Sequence, residues 1–372
     1  MNAAATKFDG ENRYIRITDI DDETHALLPN DIVSPSGELD DKYLVKKGDI
    51  LLARTGASTG KSFLYHPKDG KLFYAGFLIK AHVLPSSDDY FIYSQTLTDR
   101  YWKWVKTASM RSGQPGINAN EYASYSFAVP SLPEQRKIAD FLSAVDAVIA
   151  AQQAEVDAWE QRKKGVMQKL FSQEVRFKAD DGSDFPDWEE KTLGEITGLF
   201  VGKSFTSELN KNGRYVVMDM GSVSSDGSII DAKLTDLDRD ILRRGDLIMP
   251  KDDIGGGLII GKTAYIPCDD KYVCGDHVYR LRFDSEIDGL FMHYEINSSG
   301  PQRRLGRKVT GSAQLGLNSK SVSSETVSVP SLPEQRKIAD CLSSMDEVIQ
   351  KSKDELAKWR DLKKGLLRQM FV

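Results

Sequence analysis

The chain has 372 residues, more than one typical hydrophobic core accommodates, so two or more domains are expected. With 40% hydrophobic and 28% charged residues it has the composition of a soluble globular protein; no apolar run nears the ~20 residues that span a bilayer, and MNAAATKFDG lacks a basic region followed by an apolar stretch, so secretion and membrane insertion are not expected. Cys268, Cys274 and Cys341 lack CxxC spacing and His25, His66, His82, His277 and His293 are scattered, which supports neither a disulfide framework nor a metal site and suits a reducing cytoplasm, while the net charge of −5 weighs only mildly against nucleic acid because the placement of positive charge decides that.

From the N-terminus, alternation predicts strands at residues 14–18, 49–53, 62–65 and 72–83. A helix is expected over 88–108 through Phe91, Leu97, Tyr101 and Val105. The stretch 99–120 is basic: Arg100, Lys103, Lys106 and Arg111 stand against one acid, Asp99, interleaved with Tyr101, Trp102 and Trp104, and it closes in the polar loop GQPGIN with Gln114 and Asn118. ARTGASTGKS ends in Gly60-Lys61-Ser62 like a phosphate loop, but Gly56 stands one residue too close for that motif. A glycine-rich hairpin is the better account, with Arg54 and Lys61 as candidates to touch DNA phosphates.

The stretch VPSLPEQRKIAD begins at Val129 and recurs letter for letter from Val329. Ser131-Leu132-Pro133-Glu134 has the form of a capping box with proline in the first turn. Beyond it Ile138, Leu142, Val145, Ile149, Gln152, Val156, Trp159, Val166 and Leu170 recur at spacings of three and four, with one longer step across Lys163. That pattern predicts a coiled-coil seam on a helix of about 38 residues, ~57 Å long. Such a helix either packs on its own domain or pairs with a second helix.

The polar residues 172–187 read as a connection, and Trp188 opens a second variable part. Strands are expected at 214–219, 247–250, 258–266 and 277–283, and a helix over 287–305. RRGDLIMPK matches the earlier KKGDILLAR, and YVVMDMG at Tyr215 matches YIRITDI at Tyr14. The stretch 301–320 carries Arg303, Arg304, Arg307, Lys308 and Lys320 with no acid, and the loop AQLGLN carries Gln314 and Asn318. Lys251 and Lys262 are further candidates for phosphate contact. Lys251-Asp252-Asp253 has the composition of nuclease carboxylates, yet the first part has no matching acidic pair. The second seam runs through Ile338, Leu342, Met345, Ile349, polar Ser352, Leu356, Trp359, Leu366 and Met370.

The chain is therefore two copies of one unit, each a variable part followed by a nearly constant one. The expected fold is α+β: two β-rich domains, each with a helix, alternating with two long helices that pair as an antiparallel coiled coil about a pseudo-two-fold axis. The expected boundaries are 1–128 and 185–328 for the variable domains, 129–172 and 329–372 for the helices, and 173–184 for the linker. Ile138, Leu142, Val145, Ile149, Val156, Trp159 and Ile338, Leu342, Met345, Ile349, Leu356, Trp359 are the candidate pairing residues. The second copy runs from Trp188 to Tyr215 before its first matched strand and the first only from Met1 to Tyr14, so the first domain is expected to lack a segment like WEEKTLGEI. Arg can pair with guanine edges and Gln or Asn with adenine edges, while lysines and arginines neutralise phosphate. A solvated helix face would explain either basic stretch alone; recurrence at equivalent places favours DNA. No Ser/His/Asp or Cys/His arrangement occurs in both copies, so no catalytic centre is expected.

The segments 130–171 and 330–371, each opening with PSLPEQRKIAD and closing with KKG and a later phenylalanine, together with FPDWEEKTLGEI from Phe185, resemble the specificity subunit of Type I restriction-modification systems. The resemblance implies two target-recognition domains, each reading half of a split, asymmetric double-stranded DNA target, and helices that act as a ruler for the gap. It also implies docking of two methyltransferase subunits and, through them, of restriction subunits, with S-adenosylmethionine, ATP and Mg on those partners and none in this chain. The alternatives are a free-standing DNA-binding regulator and a coiled-coil protein scaffold.

Overall fold

The computed structural model describes residues 1–110, 113–230, 233–254, 256–311 and 314–371. The chain divides into two compact units, one of residues 1–154 with 353–372 and the other of residues 155–352. No helix among the described residues is long and apolar enough to cross a membrane.

In the first unit, Asp49–Ala53 runs antiparallel to both Ser62–Leu64 and Leu78–His82. All five residues of this strand are buried because both faces are covered. Alternation decides what each face meets: Leu51 and Ala53 join Ile15, Phe63 and Leu72, whereas Ile50 and Leu52 pack with Tyr93. A parallel pair, Asn12–Ile15 with Lys71–Tyr74, supplies the layer behind. The helices are α1 (Asp89–Gln95), α2 (Asp99–Ala108), α3 (Ala119–Ala123) and the long α4 (Leu132–Phe171).

The second unit repeats this topology. Leu247–Pro250 is antiparallel to Ala264–Tyr265 and Val278–Arg282, and Tyr215–Met218 is parallel to Tyr272–Cys274. Leu247 and Met249 face the helical core and Ile248 faces the other way. Its helices are α5 (Leu193–Ile196), α6 (Gly289–Asn297), α7 (Ser299–Lys308), α8 (Ser319–Ser323) and α9 (Leu332–Met370). Glu189–Thr192 pairs antiparallel with Thr326–Val329, so the strand leading into α9 is closed by the segment after Trp188.

Several expected elements are shorter than anticipated. The strand expected at 72–83 is interrupted after Tyr74 and resumes at Leu78. The helix expected over 88–108 is two, because the Thr98 side chain accepts from the Tyr101 N–H and caps a new helix. The helix expected over 287–305 likewise divides at Ser298. Of the strand expected at 258–266, only Ala264–Tyr265 forms.

Both readings of the long helices hold in part. In the first unit Asp146 of α4 meets Lys363 of α9, and Gln153 meets Arg360, so the two run antiparallel. Leu142, Val145 and Leu356 are buried there, with Ile138, Ile149 and Trp359 half-buried. In the second unit Lys163 meets Asp346. Val156, Ile338, Leu342 and Ile349 are buried, and Trp159 and Met345 are half-buried. Ile338 and Leu342 also enter the domain core around Phe291, so the beginning of the helix serves its own domain as well as its partner.

The repeated PEQR stretch now has a structural reason. Gln135 is buried; its Oε1 accepts from the Asp88 N–H at 3.0 Å and its Nε2 donates to the Pro130 carbonyl at 2.8 Å. Gln335 does the same with Asp288 at 2.7 Å and Pro330 at 2.8 Å. One side chain thereby ties the start of a long helix to the N-terminus of α1 or α6. The expected capping box is not formed in the second copy. Glu334 instead accepts from Arg176 at 2.8 Å and from the Trp188 indole at 3.2 Å, and the buried Ser331 hydroxyl has no partner among the described residues.

Candidate nucleic-acid interface

Two loops meet in each unit. In the first, Thr55 bridges to Gly116, the Gly56 N–H donates to the Pro115 carbonyl at 3.0 Å and the Ile117 N–H to the Arg54 carbonyl at 2.9 Å. In the second, Asp252–Asp253 pairs with Leu315–Gly316, and the Leu317 N–H donates to the Lys251 carbonyl at 2.8 Å. The glycine-rich hairpin and the polar loop, distant in sequence, are thus one small β-structure twice over. Gly56 is at φ +75°, and a Cβ there would lie 3.1 Å from Gln114 Nε2, so glycine permits the close approach.

The basic helix lies behind that structure. Tyr101 of α2 donates to the Gly60 carbonyl at 2.8 Å, and a Cβ on Gly60 would lie 2.6 Å from Val105, which fixes α2 across the hairpin. In the second unit Gln302 of α7 donates to the Gly261 carbonyl at 2.8 Å in the same way. Arg100, Lys103 and Lys106 are exposed on α2, and Arg303 and Arg307 on α7. Asp99, the acid of the first stretch, is held by Arg368 at 2.7 Å, whose hydrogen bond keeps its carboxyl below the usual range, so a partner already offsets its charge. Arg54, Gln114, Gln314 and Lys320 are exposed; Lys251 and Lys262 are half-buried, and burial lowers the Lys262 ammonium from its ordinary value.

Other candidates have different tasks. Lys61 is 5% exposed; its Nζ donates to the Ile20 carbonyl at 2.8 Å and pairs with Asp22, so the hairpin turns it inward, away from any phosphate. Asn118 and Asn318 are N-caps of α3 and α8, their Oδ1 accepting from the Glu121 and Ser321 N–H groups, which occupies the oxygen that adenine recognition would need. Arg304 and Lys308 donate to different oxygens of fully buried Glu325 at 2.6 and 2.8 Å and serve the fold. Trp104 is half-buried, its ring tilted against those of Tyr101, Tyr122 and Tyr125. Arg111 lies outside the described residues. Asp252 pairs with His277 at 2.9 Å and buried Asp253 accepts from the Ile259 N–H, and no metal-holding cluster occurs among the described residues.

Sequence reading missed Phe77. The break after Tyr74 leaves this ring 61% exposed, and its carbonyl accepts from the Arg54 N–H at 3.0 Å. His277 stands at the equivalent place beside Lys251, with its carbonyl accepting at 3.2 Å. The glycine at Gly76 was the available signal for that turn. Each unit thus presents a cation, a planar ring and a glutamine-bearing loop beside a basic helix, an arrangement suited to holding phosphate and meeting base edges.

Known proteins share this architecture. A chain from work on complex assembly and conformational transition of the type I R-M system superposes with a TM-score of 0.55 at 16% identity, over 96% of this chain and 90% of that one. The Type-I restriction-modification system S subunit from M. genitalium gives 0.56 at 18% identity, over 91% and 86%. The Type I restriction enzyme MjaVIII specificity subunit of Methanocaldococcus jannaschii is 27% identical over 348 residues, 89% of this chain and 80% of that protein. A putative MjaX specificity subunit from the same organism is 25% identical over 356 residues, 89% of this chain and 79% of that protein. The model of the Type I restriction modification DNA specificity domain matches residues 1–158 and 186–358, so the chain belongs to that family: it is the part of a restriction-modification system that recognises the DNA target, and not itself the catalyst.

Proposed function

We propose that each recognition domain reads one half of a split, asymmetric target, with the hairpin, the polar loop and the basic helix of residues 1–128 on one half-site and those of 185–328 on the other. The observation that carries this is the repeated pairing of the two loops beside a basic helix, with different side chains at equivalent places: Arg54, Phe77 and Gln114 in one unit, Lys251, His277 and Gln314 in the other. Equivalent frames with unlike side chains suit two unlike half-sites. The antiparallel helices act as the ruler for the unspecified gap and offer the opening stretch that both share, PEQRKIAD, to two methyltransferase subunits. These partners bring S-adenosylmethionine, and restriction subunits bring ATP and Mg.

Inserting one heptad into both helices tests the ruler. Adenine-methylation mapping with the partner methyltransferase is expected to show the same half-sites at a changed separation. Altered half-sites, or an unchanged gap, would sink the reading.

A further inference from the structure

A polar triad of the same composition joins recognition domain to helix pair in each unit. In the first, Asp146 of α4 accepts from the Tyr90 hydroxyl of α1, and its Oδ1 lies 2.6 Å from Lys363 Nζ of α9. In the second, Asp346 of α9 accepts from the Tyr294 hydroxyl of α6 at 2.7 Å, and its Oδ1 lies 2.5 Å from Lys163 Nζ of α4. The Lys163 ammonium also stands 5.0 Å from the centre of the Tyr294 ring. Asp146 and Asp346 are equivalent positions of the repeat, as are Lys163 and Lys363, so each long helix supplies the aspartate in one unit and the lysine in the other. Both tyrosines remain neutral donors, since burial and the neighbouring carboxylate push their phenols above the ordinary value.

The apolar seam alone does not define which turn of α4 meets which turn of α9. Its spacing of threes and fours nearly repeats each heptad, so a slip of one heptad again sets apolar residues against apolar ones. The same slip would strip each aspartate of its lysine, although the lysine side chains are only 19% and 21% exposed. An unpaired, largely desolvated ammonium is costly, whereas the pair in register is satisfied. The tyrosine makes the recognition domain part of the same decision, because α1 or α6 is bonded to the aspartate that the lysine selects.

We infer that Tyr90–Asp146–Lys363 and Tyr294–Asp346–Lys163 are register pins: positioning residues that set which residues of the two helices meet and where each recognition domain attaches to them. In the proposed ruler, they would hold the gap to one length, and that part of the inference rests on the function proposed above.

The test uses the full chain with cysteine pairs joined by a short bis-maleimide and read by mass spectrometry. Gln153→Cys with Arg360→Cys reports the observed register, in which these side chains are 3.1 Å apart. Gln153→Cys with Leu367→Cys reports a slip of one heptad. In the parent background the first pair is expected to cross-link at least tenfold more than the second. With Asp146→Asn and Asp346→Asn together, the two yields should become comparable, and the charge-exchanged pairs Asp146→Lys/Lys363→Asp and Asp346→Lys/Lys163→Asp should restore the original preference. Should the double variant fail to fold, Tyr90→Phe with Tyr294→Phe removes only the hydroxyls and should loosen the preference partially. Retention of the parental cross-link pattern in a folded variant, with or without a fall in Tm, would overturn the pins. Methylation mapping of the same variants separates the two claims: a register shift with an unchanged gap upholds the pins and refutes the ruler.

Discussion

Glu325 is shut off from solvent, and the two cations that reach it, Arg304 and Lys308, look like their neighbours Arg303 and Arg307 in sequence. Arg304→Ala is expected to cost about 1–3 kcal/mol, because it leaves a buried carboxylate with half its partners. Arg303→Ala and Arg307→Ala should leave thermal stability within about 0.5 kcal/mol. Each should instead reduce the slope of DNA affinity against salt by about 1. Thermal melts with salt titrations separate the two groups, and the reverse pattern would contradict the assignment. A second buried carboxylate shows itself through pH. Burial pushes Glu295 up to about 7, opposed by the Ser328 N–H and Arg304. The folded state then holds a proton that the unfolded state has released, so this group's contribution falls as pH rises from about 4.5 to about 7. His25 and His293, held down to about 4 by burial, act oppositely: stability from them is lost as pH falls from about 6.5 toward 4. The windows overlap, so the informative quantity is the difference between parent and Glu295→Gln. The variant should gain on the parent by up to about 3 kcal/mol across pH 4.5 to 7 in melts, and parallel curves would contradict the shift.

Elements were legible where a pattern ran uninterrupted. The seam residues marked both long helices, and Asp49–Ala53 and Leu247–Pro250 formed over the expected residues. Legibility failed at boundaries, where one hydroxyl outweighed periodicity: the Thr98 cap splits a helix whose apolar spacing is otherwise continuous. The site was legible in part. Repetition located the two loops, but composition could not separate Lys61, buried against Ile20 and Asp22, from exposed Arg54, nor reveal that a turn at Gly76 presents Phe77. The Gln135 and Gln335 ties also carry no signal beyond their repetition. Gln135→Ala with Gln335→Ala would leave the Asp88 and Asp288 N–H groups and two proline carbonyls unpaired, at about 1–3 kcal/mol per site. Hydrogen exchange should accelerate at the N-termini of α1 and α6 and remain slow in the sheets. Unchanged exchange at those termini would remove the ties from the account.

At the scale of the whole chain, one folding plan occurs twice, with long helices that share the PEQRKIAD opening and the KKG close, and with domains alike in topology but unlike in side chains. That contrast is what the split target proposed above requires, since the frame must repeat while the reading must differ. The likeness of YVVMDMG to YIRITDI and of RRGDLIMPK to KKGDILLAR marked the variable halves as copies, but not how their strands pair, which emerges in the matching parallel pairs Asn12–Ile15 with Lys71–Tyr74 and Tyr215–Met218 with Tyr272–Cys274. The most direct measurement maps adenine methylation in cells that express the chain with its methyltransferase, beside a variant carrying Lys251→Ala, His277→Ala and Gln314→Ala. Two fixed, unlike half-sites at a constant separation are expected, with the variant relaxing one half and leaving the other and the separation intact. A continuous target, or loss of both halves together, would contradict it.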